Sequence, residues 1–450
     1  MKKVLILAYT YPPYVAVGGL RPFGWYNYLS DYGIYPVVVT RQWDNQYRNE
    51  LDYVAPSRSA NVEISEDERG TVIRAPYFPN LPNRLLLAYG PKRFRLLRKG
   101  LSLMHEILQW YVPFENKRTL YHAADAYLRR NKVSAIIATG DPFILFKYAD
   151  ELSRKHRVPW IADYRDLWSQ DVNIFKNRLF IKWSRHIEKK IVSRADYIIT
   201  VSEMLAQVLS EILPKPEKLV ITNGYDNKLF DSLQLEQKQS DTLSIGCAGT
   251  IYEWHPLEVF IEAVENFLSK QNVKLSLNFI GISDTQRLEY VLEKCTRTKL
   301  ITHIIPKVPN RELLERLAAC NVLLLFNYYS FTGTKIYDYL ALKRRILLCF
   351  KDDPQANELK KRYYYIPTKK RLPEDLQERI IQYTHSGDVA KDANHLQQLL
   401  SAYVSELQSS GIISCTSRHV EEFSRALQTK KLAEFIHSRY LFVRGICMKF

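Results

Sequence analysis

The chain has 450 residues, well past the roughly 250 to 300 at which a single core stops growing, so at least two domains are expected. Hydrophobic residues at 46% and charged ones at 25% are globular values, and no stretch nears the 18 or so continuous apolar residues of a membrane span, about the least a crossing helix needs. Lys and Arg exceed Asp and Glu to give a net charge of +16, which favours an anionic partner such as nucleic acid, a phosphorylated ligand or a lipid surface.

Six cysteines (Cys247, Cys295, Cys320, Cys349, Cys415, Cys447) are scattered, without a CxxC and without histidines at metal-ligand spacing. They read as reduced thiols of a cytosolic protein. Lys2 and Lys3 precede an apolar run, but residues 4–8 are about half the length of a signal-peptide core and lead into Tyr-Thr-Tyr-Pro-Pro. That run reads as a buried strand.

In chain order, strands are expected at residues 4–8, 36–40, 72–75, 135–139, 160–162, 197–201 and 219–222, nearly all apolar on both faces, as in a parallel sheet with helices on each side. The polar stretch 227–241, containing "QLEQKQSD", reads as a linker. Beyond it the rhythm restarts, with strands at 243–248, 275–280, 301–305, 322–326 and 346–350. Two consecutive doubly wound α/β domains account for this pattern. Residues 76–121 interrupt the first of them. There Arg93, Arg95, Arg98 and Lys99 interleave with Phe94, Leu96, Leu97, Leu101 and Leu103, a basic amphipathic helix that is consistent with docking on an anionic membrane surface and equally with a solvated helix covering its own domain.

Four places could carry chemistry. In "TYPPYVAVGGLRP" (residues 10–22), Gly18 and Gly19 stand between the first strand and a helix with Pro22 in its first turn and a stop at Gly33. A Gly-Gly pair there lets backbone amides approach an anion, and Arg21 adds either a charge-assisted contact or an anchor for the helix. The spacing is not GxGxxG, which argues against a dinucleotide site. "ATGDPF" (138–143), with Gly140 and Asp141, and "PWIADYRDLW" (159–168), with Asp163, Arg165 and Asp166, put polar groups at the carboxyl ends of strands, where α/β sheets bind ligands. "VITNGYDNKLF" (220–230) closes a strand with an Asn-Gly turn. In "LLLFNYYSFTGTKIYDYLALKRRILL" (323–348), Ser330, Thr332, Gly333 and Thr334 form a loop at a helix start, Lys335 brings a positive charge and Asp338, one turn on, an acceptor pair suited to a ribose diol.

These motifs together, with the "GCAGTIYEWHPLEVFIEAV" restart, resemble bacterial glycosyltransferases of the GT-B fold in the large retaining family 4, the glycosyl transferases group 1. The resemblance covers nearly the whole chain in order. It implies two Rossmann-like doubly wound parallel-sheet domains facing a central cleft: an acceptor-side domain at 1–226 carrying the insertion at about 76–121, the linker 227–241, a nucleotide-sugar donor domain at 242–405 and a helical segment 406–450 returning towards the first domain. It further implies donor-phosphate contacts at Gly18 and Gly19, a cleft lined by Gly249 and Thr250, ribose binding by Asp338, diphosphate or sugar binding by the 332–334 amides, and neutralisation of the leaving nucleotide by Lys335. Residues 306–308 would edge the base, with Lys307 assisting the diphosphate. Asp166 and Arg165 would orient the acceptor or support charge at the anomeric carbon, with Arg21, Gly140 and Asp141 on the acceptor side.

Two departures stand out. The family's E-x7-E pair is Ser330-x7-Asp338 here, and "TIYEWHPLE" lacks the Arg and Lys that many relatives carry after the glycine. The implied activity is a hexosyltransferase-like transfer with retention, from a UDP- or GDP-sugar to a glycan or lipid-linked acceptor in surface polysaccharide (lipopolysaccharide or capsule) biosynthesis. The implied site is cytoplasmic or peripheral on the inner membrane face. No DxD motif occurs, so no metal and no cofactor are expected. The rival readings are a nucleotide-sugar 2-epimerase of the same fold and a non-catalytic glycan-assembly scaffold. None of the compact reader motifs of nucleic-acid-binding proteins is present, so no nucleic acid is expected as a partner.

Overall fold

The computed structural model describes residues 1–14, 16–43, 51–113, 116–170, 178–233, 235–366, 368 and 372–441. The chain forms two compact units, Met1–Asn223 joined by Arg425–Phe450, and Gly224–Ser424.

In the first unit eight strands, β1 (Lys2–Leu7), β2 (Ile34–Arg41), β3 (Glu63–Glu66), β4 (Thr71–Ala75), β5 (Ala135–Gly140), β6 (Trp160–Tyr164), β7 (Tyr197–Thr200) and β8 (Glu217–Val220), form one sheet in the order β3-β4-β2-β1-β5-β6-β7-β8. All neighbours are parallel except β3 with β4. Val4, Ile6, Ile137, Ile161 and Ile199 bury on one face, and Leu5, Leu7, Ile136 and Ala138 on the other. Strands sealed on both sides are what near-continuous Val/Ile/Leu runs encode. The helix Arg425–Ile436 lays Leu432, Ala433 and Ile436 into the cluster around Val4, Ile6 and Trp25.

In the second unit β9 (Leu243–Ala248), β10 (Leu275–Ile280), β11 (Thr302–Ile305), β12 (Val322–Phe326), β13 (Arg345–Cys349) and β14 (Gly387–Ala390) form an all-parallel sheet ordered β11-β10-β9-β12-β13-β14. Some of its helices start at side-chain caps that the sequence supplies. Asp353 accepts from the amides of Gln355 and Ala356 with Pro354 in the first turn, and Asp392 accepts from that of His395. The chain passes into this unit between Asn223 and Gly224, and a short helix, Asn227–Asp231, lies in the stretch expected as a linker.

Each sheet reverses its strand order once, between β1 and β5 and between β9 and β12. Loops at the carboxyl ends of those strands line the crevice where open α/β sheets bind ligands. The second crevice has a visible cause. β12 pairs with β9 only at Val322 with Ile245 and Leu323 with Gly246. Beyond that point the Ala248 amide donates to the Tyr339 hydroxyl at 3.1 Å instead of to a strand.

Within 76–121 the helices Leu81–Tyr89 and Arg95–Leu108 form, the latter without one buried residue. No helix among the described residues is long and apolar enough to cross a membrane.

Candidate functional site

At the switch point of the first sheet, the helix after β1 begins at Val17 and runs to Tyr28. Gly18 and Gly19 therefore sit inside its first turn and not before it, and Pro22 is an interior residue, where its absent N–H removes a bond that the Gly18 carbonyl would otherwise accept. Gly33, with φ 76°, ends the following 3-10 turn Ser30–Tyr32 and not the helix itself. Gly18 is there for space: a Cβ would lie 2.3 Å from Arg165 Nη1 and 2.9 Å from Thr10 Oγ1. Arg165 donates through Nε to the Gly140 carbonyl at 2.6 Å and through Nη2 to that of Asp141 at 3.1 Å. One guanidinium thus ties the loop after β6 to the end of β5 and packs against the first turn of the helix after β1. Burial pulls the Arg165 pKa below the usual arginine value, and Asp166, Asp163 and Asp141 oppose that shift. Asp166 itself is exposed on the rim.

Arg21 makes the contacts of an anchor for the first helix. It is 7% exposed, its Nε bonds Asp163 Oδ1 at 3.0 Å, and its Nη1 donates to the carbonyls of Ile221 at 2.8 Å and Thr222 at 3.1 Å. Its guanidinium also lies over the Trp25 ring. The charge is committed to tying the first helix to β6 and the chain after β8.

At the switch point of the second sheet, Gly249 has φ +76°, and a Cβ there would meet Lys335 Cε at 2.8 Å. Lys335 opens the helix Lys335–Leu342 and donates from Nζ to the Thr250 carbonyl at 2.8 Å. Burial draws its pKa below the usual lysine value, so an anion bound beside it would regain that loss. Thr334 caps the helix without a side-chain bond, and Asp338 stands one turn on from Lys335, on the same face. Gly333, with φ +66°, gives the preceding loop its left-handed turn. Thr332 accepts from Gln377 Nε2 at its carbonyl and from the Tyr337 hydroxyl at Oγ1.

Ser330, expected to face the donor, is instead 1% exposed, with its amide donating to the Tyr364 hydroxyl at 3.1 Å. Lys307 is exposed, and its backbone lies against Gly281 at the end of β10.

The residues not foreseen are aromatic. Tyr252 and Trp254 stack with centroids 4.5 Å apart and 7° between planes, Trp254 continues onto Tyr328 at 5.7 Å, and Tyr364 closes edge-on at 5.5 Å. Between them His255 is buried; its Nδ1 accepts from the Tyr252 amide at 3.2 Å and its Nε2 finds no partner among the described residues. Burial lowers its pKa to about 3, helped by Lys335 and Arg287. The signal is present as "YEWH" and "FNYYSF", whose rings belong to two loops that only the strand order brings together. Among the described residues no three His, Cys, Asp or Glu side chains gather into a set that could hold a metal ion.

Residues 37–224 match the family described as Glycosyl transferase 4-like domain. No curated protein matches the chain. In fold the chain is similar to sucrose-phosphate synthase from Thermosynechococcus elongatus, with 14% identity, a TM-score of 0.55, and 97% of this chain and 99% of that one covered. It is similar to the catalytic domain of starch synthase IV from Arabidopsis thaliana bound to ADP and acarbose, with 13% identity, a TM-score of 0.54, and 97% and 100% covered. Anabaena HepE in complex with UDP-glucose follows, with 10% identity, a TM-score of 0.51, and 97% and 100% covered. The chain therefore has the GT-B fold, two Rossmann-like units each built on a parallel sheet, and the match to the Glycosyl transferase 4-like domain lies over most of the first of them.

Proposed function

We propose that the chain is a glycosyltransferase that moves a hexose from a nucleotide-diphosphate donor to a glycan or lipid-linked acceptor, with retention, in surface-polysaccharide synthesis. The observation that carries the reading is the placement of Lys335, Thr250 and Gly249 at the switch point of the second sheet. A cation at a helix start, beside a glycine that leaves room above it, suits a diphosphate. The match of residues 37–224 to a Glycosyl transferase 4-like domain supports the same class. The UDP-glucose and ADP bound by two chains of similar fold guide the choice of nucleotides to test.

In this reading Lys335 neutralises the charge that develops on the leaving diphosphate, and the 332–334 amides hold it. Asp338 accepts from the ribose hydroxyls. The bond from the anomeric carbon to the diphosphate oxygen breaks as the bond to the acceptor oxygen forms on the same face, and the acceptor proton passes to the diphosphate oxygen. In the first unit Arg165, held between the Gly140 and Asp141 carbonyls, and Asp166 on the rim orient the acceptor. The residues named need neither metal nor cofactor for this step. Incubation with UDP-, GDP- and ADP-sugars and a lipid-linked glycan acceptor tests the proposal by release of nucleoside diphosphate; no turnover of any donor would overturn it.

A further inference from the structure

The helix Arg95–Leu108 is amphipathic but faces the wrong way for a helix that covers its own domain. Leu96, Leu97, Gly100, Leu103, Met104 and Leu108 fall on one arc at the helical period and are exposed, with Ile107 half-buried among them. Leu96 is 86% exposed, Leu97 and Leu103 54% and Met104 51%. The side turned towards the domain carries Arg98, Leu101 and His105, each half-buried. The orientation is held at one end. Gln109 and Trp110 are buried, Trp110 stacks on Trp168 with centroids 5.0 Å apart, and Lys147 Nζ donates to the Gln109 carbonyl at 2.9 Å. The apolar face continues into Tyr89 and Phe94 on one side and Tyr111 on the other, all exposed. Tyr111 accepts a hydrogen bond from Trp183 Nε1 at 2.7 Å, beside the exposed Leu179. An apolar surface this continuous on a single domain marks an interaction site.

Charge decides what it meets. Lys92, Arg93, Arg95 and Lys99 border the stripe, and among the described residues none of them is in an ion pair. Residues 69–105 contain no Asp or Glu at all. A second copy of the chain seated on this face would set the basic borders against each other. We propose that this face docks on an anionic lipid bilayer, with the leucines in the acyl boundary and the basic border at the headgroups. Docking needs no catalysis, so it stands or falls separately from the transferase reading.

The test is co-sedimentation of the full chain with vesicles of phosphatidylcholine alone and with phosphatidylglycerol added. Binding to the anionic vesicles that falls with salt is expected, with little on the neutral ones. Leu97→Asp with Met104→Asp should reduce it at least about tenfold, and Arg95→Ala with Lys99→Ala roughly tenfold on anionic vesicles. Both pairs are exposed, so melting and circular dichroism should stay as in the parent. Absence of binding by the parent chain, or unchanged binding by both variants, overturns the proposal. So does a dimer in gel filtration that Leu97→Asp with Met104→Asp converts to a monomer when no vesicle binding occurs.

Discussion

The Lys335 ammonium donates to the Thr250 carbonyl at 2.8 Å, and directly beneath its chain stands Gly249, with φ +76°. Two separate physical demands therefore fall on one glycine. An alanine there would adopt a left-handed backbone at a cost of about 1–2 kcal/mol, and its Cβ would reach within 2.8 Å of Lys335 Cε. The lysine tip is flexible and should yield, leaving Thr250. Gly249→Ala is expected to lower stability by about 1–2 kcal/mol in urea unfolding and to weaken nucleoside diphosphate binding; an unchanged affinity would separate the glycine from the site.

Gly18 poses the opposite balance. Its helical position would welcome alanine by about 1 kcal/mol, yet the added carbon would sit 2.3 Å from Arg165 Nη1. Displacing that guanidinium forfeits its bonds to the Gly140 and Asp141 carbonyls, each worth about 1.5–3 kcal/mol for a charged donor. Gly18→Ala should therefore melt earlier than the parent. The same change in an Arg165→Ala background should be neutral or stabilising, and a like loss in both backgrounds would refute the clash.

Arg21 and Asp163 form a buried ion pair. Removing one partner strands a charge, at roughly 3–5 kcal/mol, whereas an apolar replacement of both is far milder. Arg21→Met should unfold at markedly lower urea, and Arg21→Met with Asp163→Leu should recover much of the loss in a double-mutant cycle. Were Arg21→Met to leave stability intact while abolishing ligand binding, the anchoring role would be wrong.

His255 supplies a pH dependence. Its folded pKa of about 3 lies below the free value of 6.5, so the unfolded chain binds a proton that the folded one refuses. The folded state is favoured in full above about pH 6.5 and loses that advantage as pH falls towards 3, by at most about 1.4 kcal/mol per unit. His255→Asn keeps an acceptor for the Tyr252 amide and removes the titration. Its stability should fall less steeply than the parent's between pH 7 and 4 in paired unfolding curves; parallel slopes would contradict the assignment.

The parallel sheets are legible in the sequence because strands buried on both faces must be apolar throughout. β9, β10 and β12 span the residues that their apolar runs mark. β3 is not legible, since Glu63–Glu66 is exposed along its whole length on the antiparallel edge and carries no apolar run. β14 is four residues with one buried. In the site, Lys335 and Gly249 are visible as local punctuation, a glycine after a strand and a cation at a helix start. Ser330 and Arg21 are hydrogen-bonded to Tyr364 and Asp163, which lie 34 and 142 positions away. No local pattern reports such partners, and the ring stack of Tyr252, Trp254 and Tyr328 is hidden for the same reason.

Nucleotide binding at Lys335 is measured most directly by thermal shift of the parent chain and Lys335→Ala with UDP, GDP and ADP. One nucleotide should raise the parent's melting temperature in proportion to the logarithm of its concentration, about 2.7 kcal/mol of stabilisation at a hundredfold excess over its dissociation constant. Lys335→Ala should need on the order of tenfold more ligand or above for the same shift. No shift with any of the three, or an equal shift in Lys335→Ala, would contradict the donor site.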